Sequence, residues 1–388
     1  MQKNLTEKFE KVHEIIESST SKYDCLLHGN SAIAYYYATL YKTLKEEKYK
    51  DKAIEILSDI FDRMNNSEAV FVGNAYGSGL ASFTYLVNAV NPILDLDFDV
   101  EEEFEEIDLH LFEYAMEEIQ KNKIDCLHGA LGIIHYFNSR GNSGFLDDLI
   151  LAISEKAKIS EDGIWFENFV ESEEKDSQVA NLSLSHGLTG ILLILFESIS
   201  ITKHKEIVEN TIKKGVEFLL SNSTYTLQNE NLGGAFYSVV NFNEDKKEIY
   251  PRLAWCYGDL GPLVLVYKAA EYFNKEEWKI FADKVGIKTT DKLTEETSMV
   301  SDPYFCHGSS GVSMMYKKLY TYSPIPEYKT AQKFWAKKTV EYLDYPGFTN
   351  EFIEKKHSII DGLIGINLAL LSNDMTTDDE WLELFFIK

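Results

Sequence analysis

Cys256, Cys306 and His307 are the side chains of this sequence whose types and positions most directly point to chemistry. Two thiolates and a neutral imidazole are soft ligands that suit zinc, and three of them leave the fourth tetrahedral position open. Together they bring the ion to zero net charge, so a thiol entering the open position loses its proton yet stays electron-rich. An isolated cysteine is more simply read as a small buried residue. Position argues for the ligand reading here: Cys256 lies two residues before Gly258, Cys306 lies two before Gly308, and His307 is attached directly. His186, just before Gly187, and Asp125, four residues before Gly129, are the acid–base candidates. A carboxylate beside an imidazole orients its tautomer and makes it a usable proton donor. An Asp so placed serves equally as a helix N-cap. Arg252 and Tyr257, on either side of Cys256, offer donors to a substrate carbonyl or a developing enolate. Their plainer roles are a surface ion pair and a packed aromatic.

These residues belong to a repeat. A short glycine turn followed by an apolar stretch recurs at HGNSAIAYYY, YGSGLASFTY, HGALGIIHYF, HGLTGILLIL, YGDLGPLVLV, HGSSGVSMMY and DGLIGINLAL. The first glycines are Gly29, Gly77, Gly129, Gly187, Gly258, Gly308 and Gly362, a spacing near fifty residues with one long interval of 71. Between copies run amphipathic stretches such as 50–64, 107–120, 204–220 and 276–289, with apolar residues three and four apart. A nearly all-apolar helix must be buried on every side. Seven such helices inside seven amphipathic ones predict an all-α fold, a closed α/α toroid. An open solenoid would instead end in polar caps, and the last copy is as apolar as the rest.

The chain reads as a single domain over residues 1–388, with insertions near 160–180 and 225–250, the second a strand or hairpin. In a closed ring the residues before the first glycines converge near one end of the axis: His28, Tyr76, His128, His186, Tyr257, His307 and Asp361. Seven helix N-termini would add partial positive charge there, favouring anions and thiolates. Cys25 and Cys126 are out of phase with the ligand pair and read as structural.

The composition narrows the classes. With 38 Lys+Arg against 63 Asp+Glu the formal charge is −25, which excludes a protein that works by neutralising phosphates. The first seventeen residues carry no signal-like apolar core, and runs such as 191–196 are too short for a transmembrane segment. Four scattered cysteines fit reduced thiols, so a cytoplasmic protein is expected.

Ala254-Trp-Cys-Tyr-Gly, Phe305-Cys-His-Gly and Ser185-His-Gly-Leu-x-Gly, set in seven glycine-turn repeats over essentially the whole chain, resemble the lanthionine synthetase C-like family, which includes the lantibiotic cyclases. The first two copies depart from its Gly-x-x-Gly pattern, with Ala32 and Leu80 in place of the second glycine. The resemblance implies zinc on Cys256, Cys306 and His307, with His186 and Asp125 essential and Arg252 and Tyr257 nearby. It implies intramolecular addition of cysteine thiolates to dehydroalanine or dehydrobutyrine, giving lanthionine or methyllanthionine rings. The implied partners are a dehydrated precursor peptide with its leader, a separate lantibiotic dehydratase and an export transporter, whose complex would bring the protein to a membrane. Other readings remain beside it. A prenyltransferase would use a carboxylate among its zinc ligands. A glycoside hydrolase would need paired carboxylates, for which only Asp125 and Asp361 offer themselves. A thiol or modified-peptide binding protein of the same fold would hold zinc without forming rings.

Overall fold

The computed structural model describes residues 2–141, 143–167, 178–224, 234–344, 355–373 and 378–388. Among these, seven helices form an inner ring: α2 (Asn30–Leu44), α4 (Leu80–Leu94), α7 (Leu131–Arg140), α9 (Leu188–Ser198), α11 (Leu260–Tyr272), α14 (Ser309–Tyr322) and α16 (Leu363–Leu371). Seven more alternate with them along the chain: α1 (Gln2–Glu17), α3 (Glu47–Asn65), α6 (Glu105–Gln120), α8 (Ser143–Glu155), α10 (Lys205–Ser221), α12 (Glu276–Thr289) and α15 (Pro326–Leu343). Two single-turn helices, α5 (Val100–Glu103) and α13 (Glu295–Ser298), sit in connections. The layers follow from sequence pattern. In α3 only Tyr49, Ala53, Leu57 and Ile60 are fully buried, on one face, while Lys48, Asp51, Glu55 and Asp59 on the other are exposed. In α9 every residue but Glu197 is buried, as an all-apolar helix requires.

The ring closes. Each inner helix packs on the next, α2 on α4, α4 on α7, α7 on α9, α9 on α11, α11 on α14, α14 on α16, and α16 returns to α2. The first outer helix, α1, packs on α15 and α16, which seals the seam. The glycine turns are also stitched to one another by backbone bonds. Leu184 and Ser185 donate to the Cys256 carbonyl, Trp255 and Cys256 to that of Cys306, Cys306 to Ile360, Ile359 to Leu27, and Gly77 to Leu127.

The second copy runs in a different frame from the sequence alignment. In three of the other turns the residue after the glycine donates its N–H to the carbonyl six residues before that glycine: Asn30 to Tyr23, Ala130 to Lys123 and Ser309 to Asp302. In the second copy the matching bond is Leu80 to Gly73, so Gly79 and not Gly77 is the equivalent glycine. A Cβ on Gly79 would lie 2.5 Å from that carbonyl oxygen, which is why only glycine fits. Ser78 therefore takes the place assigned to Tyr76, and Ser82, not Leu80, stands where the second glycine is expected. Tyr76 itself falls in register with Trp255 and Phe305, and all three turn inward and are fully buried.

Those three residues meet the C-terminal segment, which fills the ring's interior. Trp381, Leu382, Leu384, Phe385, Phe386 and Ile387 are buried. Trp255 Nε1 donates to the Phe385 carbonyl at 3.1 Å, Tyr76 Oη to that of Leu384 at 3.0 Å, and the Phe305 and Phe385 rings lie 4.2 Å apart. Each such apolar side chain contributes about 1.5–3 kcal/mol by leaving water. Nothing in the periodicity signals this plug.

The insertions form small sheets. Strands β1 (Lys158–Ser160) and β2 (Gly163–Trp165) make one antiparallel pair. Strand β3 (Val179–Asn181) pairs with β4 (Val239–Asn241), which forms a hairpin with β5 (Lys246–Glu248), so the two insertions join in one three-stranded sheet. Much of the acidic stretch, residues 168–177, and residues 225–233 lie outside the described residues.

Candidate functional site

The stitched turns dictate where the soft ligands go. Because Trp255 and Cys256 both bond to the Cys306 carbonyl, the fifth and sixth turns are held side by side at the ligand position. The ligand atoms of Cys256, Cys306 and His307 all lie within 4.8 Å of one another. Among the described residues no other group of His, Cys, Asp and Glu converges in this way. Cys256 is 8% exposed, whereas Cys306 is only partly buried, so the cluster has an open side. The electrostatics of its three donors differ. A hydrogen bond from Cys306 lowers the Cys256 thiol against the effect of burial, with help from the Arg252 charge. That same bond, with burial, raises Cys306. Burial lowers His307, favouring the neutral ring that ligates. Asp302 lies 3.5 Å from His307 Nε2, the kind of carboxylate that orients a ligating histidine. These observations fit a divalent metal.

His186 and Asp125 meet. His186 Nδ1 is 2.7 Å from Asp125 Oδ2. The other oxygen, Oδ1, accepts the backbone N–H groups of Leu127 at 2.8 Å and His128 at 2.6 Å. One oxygen of Asp125 thus holds the turn, while the other faces the imidazole; the cap of the following helix is Ala130, not Asp125. An ionised carboxylate only accepts, so His186 carries its proton on Nδ1 and turns Nε2 outward. The His128 ring stacks on His186, with centroids 5.8 Å apart and planes at 16°.

Tyr257 links the acid–base pair to the cysteine cluster, since it follows Cys256 and its ring centroid lies 6.3 Å from that of His186. Its hydroxyl accepts a bond from Asn181 Nδ2 at 2.9 Å, so it is held by a polar partner and is not merely a packed aromatic. Arg252 makes no ion pair among the described residues, and its buried Nε has no partner. The guanidinium is thus available. Cys25 and Cys126 are fully buried, and burial pushes the Cys25 thiol up to about 11 and raises that of Cys126.

A cavity of about 350 Å³ opens beside the pair, lined by Asp125, His128, Asn181 and His186 together with Phe166 and Glu167 of the first insertion. Sequence reasoning missed Asn181 and Asp302. Both stand six residues before a turn glycine, the position that Arg252 holds before Gly258, and that shared spacing is the signal that would have found them.

Residues 21–386 match the family described as Lanthionine synthetase C-like protein. The solved structure of nisin cyclase superposes with a TM-score of 0.73, covering 99% of this chain and 97% of its own, at 15% identity. At that identity the likeness establishes the helical toroid. Among the described residues, no helix is long and apolar enough to cross a membrane.

Proposed function

We infer the function from one premise: the chain belongs to the lanthionine synthetase C-like family. The reading supported best is a zinc-dependent peptide cyclase, acting as one domain over residues 1–388. It closes thioether rings in a dehydrated precursor peptide bearing a leader, supplied by a dehydratase and passed to an export transporter. The carrying observation is a Cys–Cys–His cluster one turn along the ring from a bonded His–Asp pair.

Cys256, Cys306 and His307 would hold the zinc. When bound, it supplies the charge that keeps a substrate cysteine as a nucleophilic thiolate at neutral pH. The chain's own residues account for the rest. As the sulfur bonds to the β-carbon of a dehydroalanine or dehydrobutyrine, the double-bond electrons move toward the neighbouring carbonyl. Arg252 and the Tyr257 hydroxyl, fixed by Asn181, stabilise the enolate oxygen. His186, with Asp125 on Nδ1, takes up on Nε2 the proton that the thiol releases and delivers it to the α-carbon. Phe166 and Glu167 border the space beside His186 and would contact the peptide there.

The test is elemental analysis of the purified protein beside Cys306→Ala, followed by cyclisation assays on a dehydrated peptide scored by free-thiol alkylation. One zinc per chain that is lost in the variant, with ring closure by the wild type, is the expected result. Zinc without ring closure would leave a thiol or modified-peptide binding protein. Reduced, folded protein with no zinc would remove the proposed chemistry.

A further inference from the structure

A second cavity, of about 340 Å³, lies at the other end of the ring. The inner helices all begin at the glycine turns, and this cavity is lined by their C-terminal parts: Thr39 and Lys42 of α2, Asn88 of α4, His135 of α7 and Glu197 of α9. The C-terminal segment that plugs the ring supplies the remaining wall through Asp378, Glu380 and Glu383.

At its floor is a buried pair. His135 Nδ1 lies 2.7 Å from Glu197 Oε2, and the two side chains are 3% and 8% exposed. The imidazole is wedged in place, stacked on Tyr85 at 4.7 Å with the Tyr76 and Phe386 rings edge-on to it. Since Nδ1 must donate to the carboxylate, the neutral ring presents Nε2 as an acceptor. That Nε2 and the other carboxylate oxygen, Glu197 Oε1, are both buried and have no hydrogen-bond partner. Two unpaired acceptors side by side in a polar cavity call for a ligand with several N–H donors.

The surroundings choose its charge. Helix C-termini carry partial negative charge. Four carboxylates line the cavity, Glu197, Asp378, Glu380 and Glu383, against the two lysines Lys42 and Lys388. Lys42 is engaged by Asp378 and Glu380, and Lys388 Nζ lies 3.7 Å from Glu383. The rings of Tyr35 and Tyr85 form part of the wall, and aromatic faces attract cations. We propose that this cavity is a binding site for a guanidinium or primary ammonium group, donating to Glu197 and His135 and flanked by Tyr35 and Tyr85. The site is separate from the cysteine cluster, so it stands or falls independently of cyclase activity.

The probe is agmatine, titrated calorimetrically into the full-length protein. N-acetylarginine amide in a second arm distinguishes a free amine from a basic side chain of a peptide. Saturable binding of one agmatine per chain is expected, weakened about 10-fold or more in Glu197→Gln, as loss of a hydrogen bond to a charged group implies. Cys306→Ala should bind as the wild type does. Binding of agmatine alone marks a free amine as the ligand, and binding of both probes admits a peptide side chain. If Glu197→Gln does not fold, Thr39→Trp, which fills part of the cavity from a partly exposed position, must abolish binding. No saturable heat with either probe in the wild type, unchanged affinity in folded Glu197→Gln, or full binding by Thr39→Trp would each overturn the proposal; water would then satisfy the two acceptors.

Discussion

The two ends of this ring carry the same device in different settings. Each has a cavity of comparable size, about 350 and about 340 Å³, and each cavity contains a histidine bonded through Nδ1 to a carboxylate at 2.7 Å. Both pairs bridge the third and fourth copies of the repeat. They differ in access and in the second carboxylate oxygen. His186 is 21% exposed, and Asp125 uses its other oxygen to accept two backbone N–H groups, so the carboxylate is fixed and the imidazole can be reached. His135 is 3% exposed, and the other oxygen of Glu197 has no partner. Helix N-termini gather at the first end and helix C-termini at the second, so developing negative charge is favoured only at the first. A histidine–carboxylate bond alone does not define an acid–base catalyst; reach and local field do.

The sharpest way to break this contrast is to remove each histidine in turn. His186→Ala should keep its metal and its fold, yet lose ring closure by about 10²–10⁴-fold, the range for a positioned proton donor. His135→Phe, which preserves the packing against Tyr85, should close rings within about 3-fold of the wild type. Free-thiol alkylation of a dehydrated peptide reads both. A comparable loss in folded, metal-loaded His135→Phe would show that the ends are coupled.

The plug that separates the ends gives the next largest effect. Phe385→Ala removes a ring packed 4.2 Å from Phe305 and should cost about 3–5 kcal/mol of stability, measured by denaturant unfolding. A loss under about 1 kcal/mol would mean that the segment only lies against the ring and does not hold it together.

How far all this could be read from the sequence depends on whether a feature repeats. The double ring was legible because each inner helix is apolar all round and each outer helix has one apolar stripe. The convergence of Cys256, Cys306 and His307 was legible because Cys256 and Cys306 occupy equivalent places in adjacent copies. The second copy misled, because YGSG offers two glycines and only the close approach of the Gly73 carbonyl selects Gly79. The plug was illegible, since WLELFFIK has no counterpart in the repeat and its partners Tyr76, Trp255 and Phe305 look like ordinary turn aromatics. Asn181 was missed because its partner, the Tyr257 hydroxyl, is 76 residues away.

Asp125 offers a finer cut. Asp125→Asn retains an oxygen for the Leu127 and His128 amides but loses the charge that fixes the His186 tautomer, so the turn should survive while ring closure falls about 10–100-fold. Unchanged kinetics would reduce Asp125 to its role in holding the turn.

The smallest effect falls on Tyr257, where stability and rate can be told apart. Its hydroxyl accepts from Asn181, so Tyr257→Phe leaves that amide N–H without this acceptor and should cost about 0.5–1.5 kcal/mol if the bond is only structural. That cost would appear in unfolding and leave the rate of ring closure unchanged. If the hydroxyl also donates to the enolate oxygen, the bond is stronger in the transition state than in the bound peptide. The variant would then lose about 3–30-fold in kcat with KM nearly constant, because only interactions gained in the transition state act on kcat. Asn181→Ala supplies the complement. It leaves the hydroxyl in place without the Asn181 bond, so a catalytic hydroxyl should lose part of the same kcat, and the double variant should lose little more than Tyr257→Phe alone. Additive losses would separate the two residues and confine Asn181 to the turn.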